Sequence, residues 1–471
     1  MLFPTHGFAF FFIIVFTISW AVFKYPNTRK VILIMASYVF YVLWDWRFLV
    51  LLVSSSLVNF ALGKYISFSK DENNRKLRIT LGIVFNLLYL GFFKYCDFFI
   101  LSTSNILAFL GLNVKLNILN IFIPIGISFY TFQAISYLID IYREEVEAQN
   151  VINVLFYIGF FPQLLSGPII KAENFFNTII HQPDKNNIHA SRAFGLIISG
   201  LIKKMIIANY IGTELVDPMF NNPYNYSSLD MILATYGYAI QIYCDFSAYS
   251  DMALGFAALL GYLYPRNFNR PYSAYTIQEF WKKWHISLSS WLMNYLFYPL
   301  QFKLRDWKKF GNIAAIILTF FLCGVWHGAG YTFMLWGLWH GVGLAIERFV
   351  LKIEKKNFNV WWKKALGVFF TFNFVCIGWL LFRSDNFDIL WNTFSIIGQC
   401  RFSLHYSNLF VYSLMILGFI INFIPEKLPE KLEEFFVKIP LVFQGIAFGL
   451  ILIIVSAMSP DGVAPFIYFK F

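Results

Sequence analysis

Two histidines lie in one strongly apolar segment, CGVWHGAGYTFMLWGLWHG, at residues 323–341. An ionisable ring in such a segment is usually paired or functional. The imidazole of His327 could serve as a base near neutral pH, and the same spacing fits a histidine that only hydrogen-bonds a carbonyl group. Cys323 precedes His327 by four residues and would share its helix face, so a thiol–imidazole pair could form an acyl-thioester. Because no third orienting group accompanies the pair, we expect Cys323 to be a buried apolar residue.

A second apolar segment, QIYCDFSAYSDMALGFA, carries polar side chains at helical spacing. Gln241, Asp245 and Tyr249 fall at i, i+4 and i+8, and Asp251 forms a further i, i+4 pair with Ser247. The pattern predicts a membrane helix that contains two carboxylates. Such carboxylates can be structural partners of neighbouring tyrosines. They also fit a proton or ion transporter, which is the alternative function that spacing alone leaves open.

A third segment, FWKKWHISLSSW at residues 280–291, combines aromatic, basic and hydroxyl side chains. Trp281 and His285 would share one face of a helix, with Trp284 and Ser287 close to it. This arrangement favours an amphipathic helix at the membrane interface or at the mouth of a cavity.

Proline and glycine interrupt two further apolar segments. Pro162, Gly167 and Pro168 should break a helix within FFPQLLSGPI, which is tolerated where neighbouring groups satisfy the freed backbone. Gly328 and Gly330 should let the backbone bend just after His327 and carry its ring into an open space.

The elements that position these groups must be membrane helices. Of 471 residues, 58% are hydrophobic and only 13% are charged, far from the roughly one-quarter charged residues of soluble domains. Apolar runs near the spanning length of about 17–25 residues recur along the whole chain. We therefore expect a single integral membrane domain over residues 1–471, with a core at about 30–385 and C-terminal helices and a tail at 386–471.

Basic residues between these runs indicate the topology. Lys24, Arg29 and Lys30 follow the first run and a basic segment at 64–78 follows the third, so both loops should be cytoplasmic and the N-terminus should face outward. The first run has no basic segment before it and no convincing cleavage site, so we interpret it as a retained helix. The basic clusters could also attract an anionic cytoplasmic substrate.

Several classes of site find no support in the sequence. The five cysteines form no disulfide framework, and the seven histidines show no zinc-site spacing, so we expect no metal. No glycine-rich nucleotide-binding loop is present, and we expect neither a permanently bound cofactor nor a nucleic-acid partner.

Long motifs in a fixed order identify the family that the chain resembles. FFPQLLSGPI, YCDFSAYSDMALG, NFNRPY, FWKKWHISLSSWL, CGVWHGAGYTFMLWGLWHG and IGWLLFR occur here in the order in which they occur in the membrane-bound O-acyltransferase superfamily, and IPIGISFYTFQAISYLIDIYR accompanies them at 123–143. Within it the chain most resembles alginate O-acetylases and peptidoglycan O-acetyltransferases of Gram-negative bacteria. The resemblance implies an all-α polytopic bundle of about 11–13 transmembrane helices, with re-entrant or kinked segments around a central tunnel.

The resemblance also assigns roles to individual residues. The invariant family histidine falls on His327, which we expect to be the base that deprotonates the acceptor hydroxyl. The second family histidine falls on His285, which we expect in the catalytic site. The oxyanion needs a hydrogen-bond donor, for which His285, Trp284 and Trp326 are all candidates.

Donor and acceptor follow from the same resemblance. We expect acetyl-coenzyme A as the donor, because its phosphates suit a basic cytoplasmic mouth. A D-alanyl transfer of the teichoic acid type is the alternative. The expected partners are a separate periplasmic esterase-like O-acetyltransferase and membrane lipid, and the expected location is the bacterial inner membrane. Peptidoglycan is the preferred final acceptor.

The C-terminal sequence APFIYFKF, at 464–471, suggests a further participant. Tyr468 resembles the tyrosine of C-terminal segments in D-alanylation systems, where the phenol accepts the acyl group and passes it on. An aromatic membrane anchor is the alternative interpretation of the same residues.

Overall fold

The computed structural model describes residues 2–112, 114, 116–165, 167–180, 190–353, 360–425, 427–458 and 465–467. Every regular element within them is helical, as the composition predicts. The α-helices are α1 His6–Ala21, α2 Pro26–Val42, α3 Trp46–Ser67, α4 Glu72–Phe109, α5 Ile127–Tyr142, α6 Val151–Gly159, α7 Phe161–Leu164, α8 Ala172–Ile180, α9 Ala190–Leu201, α10 Asp217–Asn221, α11 Ser228–Leu259, α12 Ile277–Lys283, α13 Ile286–Leu292, α14 Tyr298–Lys303, α15 Lys308–His327, α16 Tyr331–Ile346, α17 Trp361–Arg383, α18 Phe387–Gly398, α19 Leu409–Ile420, α20 Lys427–Val437 and α21 Leu441–Met458.

Several of these helices are long and apolar enough to cross a membrane. Within the described residues, five helical stretches meet that test: Trp46–Ser67, Glu72–Phe109, Ala190–Asn221, Arg305–His327 and Trp361–Arg383. Others, such as α1 and α16 with 16 residues each, are apolar but shorter than a full span. The expected total of about 11–13 spans therefore stays a prediction, because it counts such short helices as crossings.

Contacts divide the chain into two compact units. The first is Met1–Ile188 with Ala257–Tyr264, and the second is His189–Phe256 with Pro265–Phe471. The single domain expected from the sequence stays a prediction, and each unit is described by itself.

The first unit begins with four helices joined by short turns. Asp71 caps α4 by accepting a hydrogen bond from the Asn74 backbone N–H. α3 and α4 are joined by a reciprocal amide pair, in which Asn59 and Asn86 each donate to the side-chain oxygen of the other at 3.1 and 2.8 Å. Both amides are fully buried, where an unsatisfied polar group would be costly.

Arg29 does not lie in a cytoplasmic loop, where the charge pattern predicts it. The sequence suggests a cytoplasmic loop charge, but Arg29 lies in α2 and is only 3% exposed. Its guanidinium donates to the Leu260 carbonyl at 2.6 Å and to Ser19 Oγ at 2.9 Å. The arginine therefore links three segments of the first unit. Lys30 also lies in α2, so of the three basic residues only Lys24 lies in the loop.

The expected break within FFPQLLSGPI is confirmed. α6 ends at Gly159 and α7 is a single turn, and within the described residues the next helix is α8. Gly126, at the start of α5, packs against this break with φ at +80°. A Cβ there would lie 2.4 Å from the Leu164 carbonyl oxygen, so this position requires glycine.

In the second unit, a continuous helical stretch with π-helical turns precedes α11. The π turns span Ile202–Ala208 and Ile211–Val216, between α9 and α10. Such turns are often found at functional sites. The first of them contains two consecutive buried lysines, Lys203 and Lys204.

The expected single helix over 280–291 is wrong. α12 ends at Lys283, and α13 begins at Ile286 after His285, whose φ of +42° places it in the left-handed region. The break turns the chain at the histidine itself. Non-glycine residues adopt this conformation rarely, and often at functional positions.

Candidate active site

A helical hairpin formed by α15 and α16 carries His327. Small residues let the two helices approach closely, since a Cβ at Gly324 would lie 2.2 Å from the Phe333 carbonyl oxygen and one at Gly337 would lie 2.3 Å from that of Phe320. This is the small-residue packing typical of membrane helices. The expected bend is confirmed, because α15 ends at His327 and Gly328 is extended. His327 thus occupies the last position of its helix. The expected open space around the ring is wrong, because three aromatic rings pack against it.

The imidazole of His327 is enclosed by aromatic rings and is only 4% exposed. Its ring centroid lies 4.9 Å from Trp326, 4.9 Å from Trp336 and 5.3 Å from Phe382, each ring nearly perpendicular to it. Such walls exclude water and make a charged imidazolium costly unless a partner compensates it. The ring of His327 therefore lies in a largely water-excluded, aromatic setting.

A second buried histidine continues this aromatic cluster. His340 is fully buried, 5.0 Å from Trp336 and 5.1 Å from Trp281 between ring centroids. Within the described part of the chain, neither ring nitrogen of His340 has a hydrogen-bond partner, and the same holds for the indole nitrogens of Trp281 and Trp336. Unsatisfied buried nitrogens are rare in folded proteins, so these four nitrogens are open to a further polar partner.

His285 is oriented by a residue that the sequence analysis did not single out. Its Nδ1 lies 3.2 Å from Asn267 Oδ1, and the same oxygen accepts hydrogen bonds from the Ser287 backbone N–H at 3.1 Å and from Ser287 Oγ at 2.9 Å. A backbone N–H can only donate, so the asparagine atom facing this group must be the oxygen. The motif NFNRPY, which begins at Asn267, was the sequence feature that could have identified this residue.

This network assigns the tautomer of His285. Because Asn267 Oδ1 is an acceptor, Nδ1 of His285 donates the hydrogen bond, and a neutral ring then presents Nε2 as an acceptor. The ring is fully buried and lies edge to face with Phe246 at 4.6 Å. A neutral His285 is therefore a proton acceptor, and this geometry argues against it as the oxyanion donor.

Indole rings connect the surroundings of the two family histidines. The ring centroid of Trp284, which precedes His285, lies 4.8 Å from that of Trp379. Trp379 in turn stacks on Trp336, with their centroids 6.3 Å apart. Trp336 is the ring that contacts His327. Trp379 donates its indole N–H to Tyr272 Oη at 3.1 Å. The motif IGWLLFR supplies Trp379 and Phe382, which contact one another at 5.7 Å.

The short helix α12, which precedes His285, is fixed at its N-terminus. Thr276 caps it by accepting from the Glu279 N–H, and Glu279 in turn accepts from the Tyr275 N–H. Buried Glu347 accepts two further backbone N–H groups, of Ile277 at 2.5 Å and of Gln278 at 2.9 Å. A carboxylate is favourable at a helix N-terminus, so Glu347 anchors α12 to the end of α16.

The carboxylates of α11 are paired with lysines, which the sequence did not reveal. Asp245 lies 2.7 Å from Lys204 and Asp251 lies 2.5 Å from Lys203. Lys203 also donates to Ser247 Oγ at 3.0 Å. The helix, with its predicted spacing, is confirmed, but the carboxylates bind ammonium groups and not tyrosines.

Residues of the C-terminal tail lie beside this helix. Asp245 Oδ2 accepts a hydrogen bond from the Ile467 backbone N–H at 2.9 Å. Phe466 is fully buried, with its ring centroid 4.5 Å from Tyr249. Tyr468, the expected acyl acceptor, lies outside the described residues.

Two cavities adjoin these groups. A polar cavity of about 380 Å³ lies beside the tail; we call it the tail cavity, and it is lined by Lys204, Asn209, Thr213, Asp217, Tyr238, Gln241, Asp245, Arg383, Asp385, Pro465 and Ile467, among others. A smaller cavity of about 140 Å³, the Trp281 cavity, is mostly apolar, with Gln278, Lys282 and Arg348 among its lining residues. Its walls include Trp281 and Phe320, which also contact His340.

All but one of the expected site residues that the structure describes fall into three groups. His327 and Trp326 are in direct contact, and Trp284, His285 and Ser287 surround Asn267 and its neighbours. Gln241, Asp245 and Tyr249 lie by the tail, whereas Asp251 belongs to the separate pair with Lys203. Cys323 is a free and fully buried thiol, which confirms its expected burial.

Comparison with known proteins identifies relatives of this chain. Residues 32–387 match the model of the membrane-bound O-acyltransferase family. The chain is 36% identical to a probable alginate O-acetylase of Azotobacter vinelandii, over 78% of this chain and 72% of that protein. It is 33% identical to a peptidoglycan O-acetyltransferase of Helicobacter pylori, over 78% and 73% of the two chains. A teichoic acid D-alanyltransferase of Bacillus subtilis is 30% identical, over 56% of this chain and 69% of that protein.

Proposed function

Because this chain belongs to the membrane-bound O-acyltransferase family, we propose that it transfers an acetyl group from cytoplasmic acetyl-coenzyme A toward a cell-envelope polysaccharide, with peptidoglycan as the final acceptor. The chain is a multi-pass membrane protein and an acyltransferase; the bacterial inner membrane is part of the proposal. The observation that carries the proposal is the buried His327 imidazole at the end of its helix, walled by Trp326, Trp336 and Phe382. Acyl transfer requires a base for the acceptor hydroxyl, and an imidazole in a dry site is suited to that role.

The proposed reaction moves one proton and one acyl group. His327 takes the proton of the acceptor hydroxyl as its oxygen attacks the thioester carbonyl, and negative charge develops on the carbonyl oxygen. The indole N–H of Trp336 is the candidate donor to that oxyanion, because it is buried beside His327 and lacks a partner among the described residues. The carbon–sulfur bond then breaks, and the coenzyme A thiolate takes the proton back from His327.

The Trp281 cavity is the candidate entry for the donor. Lys282 and Arg348 suit the phosphates of a nucleotide-bearing thioester, and the apolar remainder suits the pantetheine arm. The basic residues at 303–309 and after α16 lie at the opposite end of the hairpin from His327. Since α15 has 20 residues, that separation is about 30 Å, and the positive-inside rule assigns the basic end to the cytoplasm.

The proposed first acceptor is Tyr468, which passes the acetyl group to a periplasmic esterase-like partner. An acylated phenol is reactive, because phenolate is a much better leaving group than a sugar alkoxide. Support comes from the described tail residues 465–467, which pack inside the second unit beside α11.

Two alternatives remain distinct from this proposal. D-alanyl transfer is supported by the likeness to a teichoic acid D-alanyltransferase, although that likeness spans less of the chain than the likeness to the O-acetylases. Transport is less favoured, because the family match points to acyl transfer and the two carboxylates of α11 that suggested transport each have a lysine partner.

The donor can be tested directly with purified protein in lipid nanodiscs. Acetyl-coenzyme A and a D-alanyl carrier-protein thioester are offered in parallel, and free thiol is measured over time. Release of coenzyme A that depends on His327 supports the proposal. Turnover of only the D-alanyl thioester would replace the proposed donor, and turnover of neither, with ion or solute uptake into vesicles, would replace the proposed reaction.

A further inference from the structure

The C-terminal tail is held through its backbone on both sides of one buried aromatic residue. The Ile467 N–H donates to Asp245 Oδ2 at 2.9 Å, and the Pro465 carbonyl accepts from Lys204 Nζ at 3.4 Å. Phe466 between them is fully buried against Tyr249 and Phe246. Two backbone hydrogen bonds and one buried ring fix both the position and the direction of these three residues.

The two charged groups that hold the tail form a buried ion pair. Asp245 is 3% exposed and Lys204 is 2% exposed, and their charged atoms are 2.7 Å apart. A buried pair is stable only when further hydrogen bonds satisfy its remaining lone pairs and protons. The tail supplies one such bond to each partner, so the pair and the tail complete one another.

A neighbouring ion pair shows that this arrangement is specific. Lys203 and Asp251 come from the same π turn and the same helix, but Lys203 completes its bonding with Ser247 of α11 instead of the tail. The side chain of Asp251 is 25% exposed, against 5% for Asp245. The two pairs therefore share their elements and chemistry and differ in the contact with the tail.

The space beside the held residues is polar. Pro465 and Ile467 line the tail cavity together with Asn209, Gln241 and Arg383. Within the described residues, the Asn209 Nδ2 and Gln241 Oε1 atoms have no hydrogen-bond partner. A polar cavity of this kind suits a phenol or its ester, because both carry oxygen atoms that accept hydrogen bonds.

We propose that the Lys204–Asp245 pair is a clamp for the chain's own C-terminal tail, and that it sets the register at which the tail presents the residue after Ile467. Consecutive Cα atoms are about 3.8 Å apart, so fixing Ile467 restricts the reach of Tyr468. The functional consequence rests on the acyl relay proposed above, whereas the clamp itself does not. Lys204 and Asp245 are positioning residues, because they act on the acceptor through the tail.

The clamp is tested without any chemistry by cysteine accessibility. Ile467→Cys keeps the backbone N–H, and the rate at which a membrane-impermeant maleimide modifies residue 467 in nanodiscs is followed by peptide mass spectrometry. The double variant Asp245→Leu/Lys204→Met removes the clamp and leaves no unpaired buried charge. The double variant Asp251→Leu/Lys203→Met is the matched control. We expect modification to accelerate at least about 10-fold in the first double variant and to stay unchanged in the second.

Equal modification rates in the two double variants would overturn the clamp. A tail-side pair of variants gives a second test that leaves the helices intact. Ile467→Pro deletes the N–H that Asp245 accepts, and Ile467→Ala keeps it. Labelled acetyl on Tyr468 should fall at least about 10-fold in the first variant relative to the second, and equal labelling of both variants would show that this bond sets no register.

The outcomes separate the clamp from the relay. If the thiol of Ile467→Cys becomes accessible only in the clamp double variant while wild type never carries acetyl on Tyr468, the clamp stands and the proposed relay fails. If Tyr468 is labelled equally in wild type and in both double variants, the relay stands and the proposed role of the clamp in setting the register is overturned.

Discussion

The imidazole of His327 and the indole of Trp336 lie edge to face, with ring centroids 4.9 Å apart and planes at 88°. One residue ends α15 and the other lies on the second turn of α16, so the glycine contacts of the hairpin determine their separation. A base and an N–H donor are thereby placed on opposite arms of one rigid element. Most of the following predictions test a part of this arrangement.

Replacement of His327 should abolish transfer and spare the fold. His327→Ala removes the proposed base, and general-base catalysis contributes about 10²–10⁴-fold. We expect release of coenzyme A to fall to background, with thermal unfolding in nanodiscs close to that of wild type. Full activity in this variant would refute the mechanism even for a member of this family.

Trp336→Phe should slow the chemical step. The substitution keeps an aromatic ring and deletes the N–H, and loss of one oxyanion donor typically costs about 10²–10³-fold in kcat. Trp339→Phe is the matched control on the same helix, because its N–H is already bonded to the Phe374 carbonyl at 3.0 Å. A similar kcat loss in both variants would assign Trp336 a structural role.

Asn267 should act through the orientation of His285. Asn267→Asp keeps an oxygen acceptor for His285 Nδ1 and for Ser287, whereas Asn267→Leu removes it. We expect the leucine variant to lose about 10-fold or more in kcat, by analogy with residues that orient ligating histidines, and the aspartate variant to lose less. Equal activity in the two variants would show that the hydrogen bond to His285 is not required.

The hairpin glycines should be essential for packing. Gly337→Ala would place a Cβ 2.3 Å from the Phe320 carbonyl oxygen, and overpacking of this kind costs about 1–3 kcal/mol. Gly330→Ala is the control, because a Cβ at Gly330 would lie 3.4 Å from its nearest neighbour, an atom of the Phe333 ring. Thermal unfolding should shift downward in the first variant only. An equal shift in both would mean that the close approach of α15 and α16 does not limit stability.

Much of the fold followed from the sequence because its signals are local. Apolar runs predicted helices, and the Gly328 and Pro162 breaks were recognised because glycine and proline act on their own backbone. The break at His285 was missed, since nothing in FWKKWHISLSSW disfavours a helix there. That conformation is fixed by Asn267, whose backbone carbonyl accepts the Ile286 N–H at 2.8 Å and whose side-chain oxygen accepts the N–H and hydroxyl of Ser287.

The partners of the α11 carboxylates could not be predicted from local sequence either, because they lie far away along the chain. Lys204 precedes Asp245 by about 40 residues along the chain, and Ile467 follows it by more than 200, so only tertiary packing brings them together. His327 was identified through its motif, yet Trp336 emerged as a donor candidate only from its unsatisfied indole nitrogen.

The central claim is a His327-dependent transfer of acetyl from coenzyme A to the C-terminal tail. Protein in nanodiscs is incubated with isotopically labelled acetyl-coenzyme A, and labelled peptides are mapped by mass spectrometry in wild type, His327→Ala and Tyr468→Phe. The account predicts acetyl on Tyr468 in wild type and no label in either variant. Label on Tyr468 that persists in His327→Ala would contradict it.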